Sequence, residues 1–138
     1  MDIAFPEADT SSGLMQLEQL AAEPLKDDEV FLAQLEQLRP QLDYDRQFAE
    51  SLKDRRVILG FSFATLESRM KNVRAGVLPS PMLTTEEVTE LQLSYETASG
   101  YIGNLPQFQT QALDSGHFNA TPDNDGVVRR VPMLHGYQ

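Results

Sequence analysis

The sequence predicts an α/β fold, a mixed sheet flanked by helices, and three observations carry that prediction. First, Val57-Ile58-Leu59-Gly60-Phe61-Ser62-Phe63 is β-branched and aromatic, and apolar on both faces in its first half. Such a run suits a central strand covered on both sides. Second, the residues before it show apolar stripes at helical spacing, interrupted by Pro24 and Pro40. Third, Gly116-His117-Phe118-Asn119-Ala120-Thr121 meets the turn Pro122-Asp123-Asn124-Asp125-Gly126, and Val127-Val128-Arg129-Arg130-Val131-Pro132 follows. Pro and Gly punctuate strands, while Asp and Asn tolerate tight-turn dihedrals. The segment reads as a C-terminal strand–turn–strand, placed to pair back as a hairpin.

The elements follow in order. Ile3-Ala4-Phe5 begins abruptly, as the end of a strand over residues 2–5, and Pro6–Gly13 is a loop. Ser12 is placed to cap a short helix holding Leu14, Leu17 and Leu20, which Pro24 ends. Asp27-Asp28-Glu29 puts negative charge in the first turn of the next helix, where it suits the macrodipole. Phe31, Leu32, Leu35 and Leu38 form its stripe, and Pro40 is expected to break it. Asp43 caps a third helix with Tyr44, Phe48 and Leu52 on one face, and Lys53–Arg56 is a polar exit to the Val57 strand.

Residues 64–83, with Gly76, Pro79 and Pro81, read as a loop with a short strand near Val77-Leu78. Thr84-Thr85-Glu86-Glu87 has capping-box spacing. The chain turns around Ser99-Gly100-Tyr101-Ile102-Gly103-Asn104, with a short strand at Tyr101-Ile102. Asn104-Leu105-Pro106 looks like an N-cap followed by a first-turn proline, opening a helix through Leu113 that Gly116 closes. At 138 residues the prior is a single domain, and an uncovered edge of its sheet would favour a homodimer.

Charge excludes some functions. The net charge of −10 argues against nucleic acid, because phosphate binding needs clustered Lys and Arg. Residues 1–54 hold 13 acids against 4 bases, which reads as solvated helical faces. No apolar run reaches the roughly 20 residues needed to span a bilayer, and with no cysteine there is no disulfide or thiolate chemistry.

Catalytic and metal chemistry finds little footing. Asp123-Asn124-Asp125-Gly126 resembles half of a calcium loop, yet Leu134 stands where the bidentate Glu would be needed, so a plain turn is expected. His117 and His135 lack zinc-ligand spacing, and a structural or exposed role is expected for His117. There is no Gly-x-Ser-x-Gly elbow and no phosphate loop. Neither a cofactor nor a metal is expected. Arg129 and Arg130, on opposite faces of a strand, could offer one guanidinium to a carboxylate, although local ion pairs with Asp123 and Asp125 are the plainer reading. Gly126 should hold a turn conformation awkward for other residues.

Two stretches resemble the CHASE2 domain. One is Asp2-Ile3-Ala4-Phe5-Pro6-Glu7-Ala8-Asp9; the other runs from Gly100-Tyr101-Ile102-Gly103-Asn104-Leu105-Pro106 into Gly116-His117-Phe118-Asn119 and on through Pro122-Asp123-Asn124-Asp125-Gly126-Val127-Val128-Arg129-Arg130-Val131-Pro132. The resemblance implies an internal fragment of an extracytoplasmic (periplasmic) sensory domain from a bacterial membrane receptor. Such a receptor is joined through transmembrane helices to an adenylate or guanylate cyclase, a histidine kinase or another output enzyme. It implies no catalysis by this chain and an unidentified small-molecule or environmental signal as partner. Asn104, Asn119, Asp123, Asp125, Arg129 and Arg130 are the candidate ligand-binding residues, on loops held by the sheet; a role in holding the last strands in register is the plainer alternative. A hydrolase-like α/β enzyme and a purely structural or dimerisation module are the rival readings.

Overall fold

In the computed structural model, described over residues 3–65 and 69–137, the Val57 run becomes the centre of the sheet. Strand β1, Ile58–Thr65, lies between β3, Glu96–Ile102, and β4, Asp114–His117. It pairs antiparallel with β3 and parallel with β4. The far edge of β3 is shared by two short parallel strands: β2, Arg74–Ala75, beside Tyr101-Ile102, and β5, His135–Tyr137, beside residues 96–98. The sheet is therefore mixed and five-stranded, as expected.

Five helices flank it. Helix α1, Leu14–Ala22, starts after Gly13 and stops before Pro24. Helix α2, Glu29–Leu42, is capped by the Asp28 side chain and passes through Pro40 rather than breaking there. Pro40 falls in the last turn, so its ring removes a single intrahelical bond. The Gln47 side-chain amide donates to the Pro40 and Gln41 carbonyls and closes that end. Asp43 ends α2 and caps α3, Tyr44–Leu52, by accepting from the Arg46 N–H. Helix α4, Thr85–Glu90, carries the full capping box between Thr84 and Glu87.

The last helix, α5, Pro106–Gln111, is shorter than the sequence suggests. It ends at Gln111, and Gly116 lies inside β4 rather than closing it. The Leu113 N–H donates instead to the Val57 carbonyl, so the chain has joined the sheet by that point. The core forms where α3 and α5 meet β1. Leu59 and Phe108 are almost wholly buried, with Ala49 and Leu52 beside them. The rings of Phe5, Phe48 and Phe108 pack edge-on and tilted at centroid distances of 4.9–5.8 Å.

Three other expectations are corrected. Residues 3–6 carry no strand pairing, because the Phe5 N–H and carbonyl go to Asn104 and Leu105; Asp2 lies outside the described residues. Ser99 to Ile102 is not a turn but the end of a seven-residue strand, β3, which takes in the strand expected at Tyr101-Ile102 and stops just before Gly103. The two glycines serve close approach: a Cβ at Gly103 would collide with the Val77 carbonyl, and one at Gly100 with that of Val73. Finally, Val127–Val131 forms no strand. The chain does run strand, turn, strand, but the second strand comes later, at β5, and pairs with β3 rather than back on β4.

Candidate functional site

The register of the strands gathers one set of rings on one face. Alternation along β1 puts Phe61 and Phe63 on the same side, with centroids 5.3 Å apart. His117 pairs with Phe61, and Tyr101 pairs with Phe63. Between Ala64 and Thr65 the register slips, leaving Ser99 as an extra residue of β3. The slip brings Ala98 and Glu96 onto the face that Tyr101 occupies. Parallel pairing with those two then places Tyr137 and His135 there as well.

The result is a cluster built from four strands. The His117 and His135 rings meet at 4.8 Å, nearly perpendicular. Phe63 touches both, at 6.0 and 5.1 Å, and Tyr137 stands edge-on to Tyr101 at 5.1 Å. Arg74, paired with Tyr101 from β2, holds its guanidinium 5.7 Å above the Tyr137 ring. Three ring nitrogens in this cluster, His117 Nδ1 and both of His135, are out of contact with water and have no hydrogen-bond partner. His117 Nε2 lies 3.4 Å from the Met133 carbonyl. Burial holds the His135 pKa below its ordinary value; the neighbouring His117 adds to that, and Glu96 opposes it. Buried polar groups are nearly always satisfied, which sets these three nitrogens apart from the other polar side chains among the described residues.

The turn 123–126 is bound by the Gly126 N–H donating to the Asp123 carbonyl and by the Asp123 N–H donating to that of Val127. Gly126 has φ of +79°, the left-handed conformation expected of it. Arg129 clamps the turn, donating to Asp123 at 3.0 Å and to Asp125 at 2.7 and 3.0 Å. Arg130 also reaches Asp123, at 3.6 Å, so the two guanidiniums converge on one carboxylate instead of diverging across a strand. The Arg129 guanidinium keeps the Asp125 carboxyl below its usual range. The four charged candidates thus form one exposed ion-paired loop.

Asn104 and Asn119 lie elsewhere. Asn104 is fully buried: its Oδ1 accepts from the Phe5 N–H at 3.0 Å, and its Nδ2 donates to the Gly60 carbonyl at 3.0 Å. It does not cap α5; Leu105 occupies that position. Asn119 faces the backbone of Phe63, accepting from its N–H and donating to its carbonyl, both at 2.7 Å. Its amide continues the β1–β4 pairing two residues after β4 ends. Both asparagines spend these groups on backbone, the register-holding geometry.

Two adjoining clefts of about 180 and 310 Å³ share Asp9, Tyr44 and Asp45, with Phe5, Phe48 and Phe108 lining the larger. None of the residues lining the two clefts belongs to the ring cluster. Among the described residues no group of three His, Asp or Glu is placed to hold a metal ion.

Sequence reasoning took His117 and His135 one at a time and missed the pair. Eighteen positions apart, they meet only because β4 and β5 lie in register with β1 and β3. Their identical alternation against Phe61 and Glu96 becomes visible once those registers are known. The family model described as CHASE2 domain matches residues 1–138. No curated protein and no solved structure matches the chain.

Proposed function

The chain belongs to the CHASE2 domain family, the extracellular sensory domains of receptors, and from that premise we propose that it is the signal-input domain of a bacterial transmembrane signalling protein with an adenylate or guanylate cyclase as its output. The observation that carries this reading is the family match along the whole chain. On this reading the domain lies outside the cytoplasmic membrane and performs no chemistry of its own. A signal acts by binding two conformations of the domain unequally, and that difference is what the cyclase receives.

The geometry supports such a role in one respect. Asn104 and Asn119 fix the central strand, while β5 joins the sheet at the far edge of β3. A fixed central strand with a second element paired at its neighbour's edge is a frame on which two arrangements can be built. The test uses the parent protein. A phosphatase fused within this domain is expected to be active, reporting an external location, and deletion of the domain is expected to change cyclic-nucleotide output. An inactive fusion, or a parent without a nucleotide cyclase, would refute the assignment.

A further inference from the structure

We infer that the signal read by this domain is proton activity, with His135, packed against His117, as the receptor whose protonation releases β5 from the sheet. The inference rests on the sensor reading above and specifies what that sensor detects.

His135 is placed to be neutral. Two imidazoles 4.8 Å apart cannot both carry charge cheaply, and the other rings against the two are those of Phe61 and Phe63. The three orphaned nitrogens receive nothing from the protein in the neutral state. Protonation turns each nitrogen into a donor needing water or an anion, which the closed arrangement withholds. Opening toward solvent supplies it.

The charged groups around the pair set the direction of the response. From β3, Glu96 pairs in register with His135 and favours its cation. From β2, Arg74 stands over Tyr137 and adds positive charge to the same face. From β4 comes His117 itself, with the Met133 carbonyl near its Nε2. Burial and the second imidazole outweigh the one carboxylate, so His135 is neutral at pH values where a free imidazole is already charged.

Strand β5 is the part able to respond. Its backbone pairs with β3, and it carries both His135 and Tyr137. Gly136 between them lies beneath the Tyr95 ring, which would overlap any Cβ there. A proton on His135 therefore acts at the strand's own attachment points.

The experiment follows amide exchange of the chain from pH 7.5 to 5.0, corrected for the intrinsic pH dependence of exchange. Protection of Gly136 and Tyr137 is expected to fall as pH drops, by roughly tenfold for each unit by which the His135 pKa lies below its unfolded value. Protection in α3 should stay constant. His135→Phe keeps a ring in the cluster and should abolish the change; His117→Phe, the second variant should the first fail to fold, should weaken it. A flat wild-type profile, or an unchanged transition in both variants, overturns the inference. Because this titration needs neither membrane nor cyclase, its failure removes the proton reading alone; the fusion and deletion tests above judge the sensor reading separately.

Discussion

Asn104 bridges three segments that are far apart in sequence. Its two hydrogen bonds span 99 and 44 positions, and no water can replace them at a fully buried site. Asn104→Ala should cost about 2–4 kcal/mol, since it strands one backbone donor and one acceptor. Urea unfolding should show this as a lower midpoint with an unchanged slope. Asn119→Ala removes two bonds at a half-buried site and should cost about 1–2 kcal/mol by the same measurement. Arg129→Ala should leave the midpoint within error of wild type, because its partners are solvent-exposed carboxylates. The sequence showed where these residues fall but not what they touch. Gly126 and Asp43 were legible because turns and caps are local chemistry. Asn104 looked like a cap because a cap is the nearest use for an asparagine before Leu-Pro; its actual partners are distant.

Among the elements, the helices were the more legible. Stripes and caps placed α2, α3 and α4 closely, and the capping box at Thr84 is intact. Thr84→Ala should cost about 1 kcal/mol, read as a drop in thermal midpoint. The strands were less legible where pairing rather than pattern creates them. Glu96–Ile102 contains a glycine and little β-branching, yet it runs between β1 on one edge and β2 and β5 on the other. Val127–Val131 has ideal strand composition and finds no partner, because the chain is first held by the Arg129 clamp. Gly103→Ala tests this account of β3. The added methyl meets the Val77 backbone, so the strand edge must shift, at a cost of roughly 1–3 kcal/mol. An unchanged midpoint would mean that the approach of residues 73–77 is not fixed.

At the scale of the whole molecule, stability should fall in two steps as the solution is acidified. His135 has a folded pKa below its ordinary 6.5, so the unfolded chain binds the proton first. Its contribution is complete above about pH 6.5 and is lost as pH falls through the depressed folded value. Asp9, lowered mainly by the Ser11 hydroxyl, contributes above its ordinary 3.8 and loses that contribution on further acidification. Thermal midpoints recorded from pH 8 to 3 should therefore show an upper and a lower limb, and His135→Phe should erase the upper one alone. The mixed sheet flanked by helices was readable from the alternation of patterns along the chain. The ring cluster was not, since it depends on a one-residue slip between β1 and β3 that no periodicity announces. The placement of Asn104 has a mechanical consequence too. A pull applied upstream of Phe5 would not travel through α1, α2 and α3 in turn. It would cross the Asn104 side chain and the Phe5–Leu105 backbone bond into Gly60 and the β3–α5 junction, loading the middle of the sheet directly.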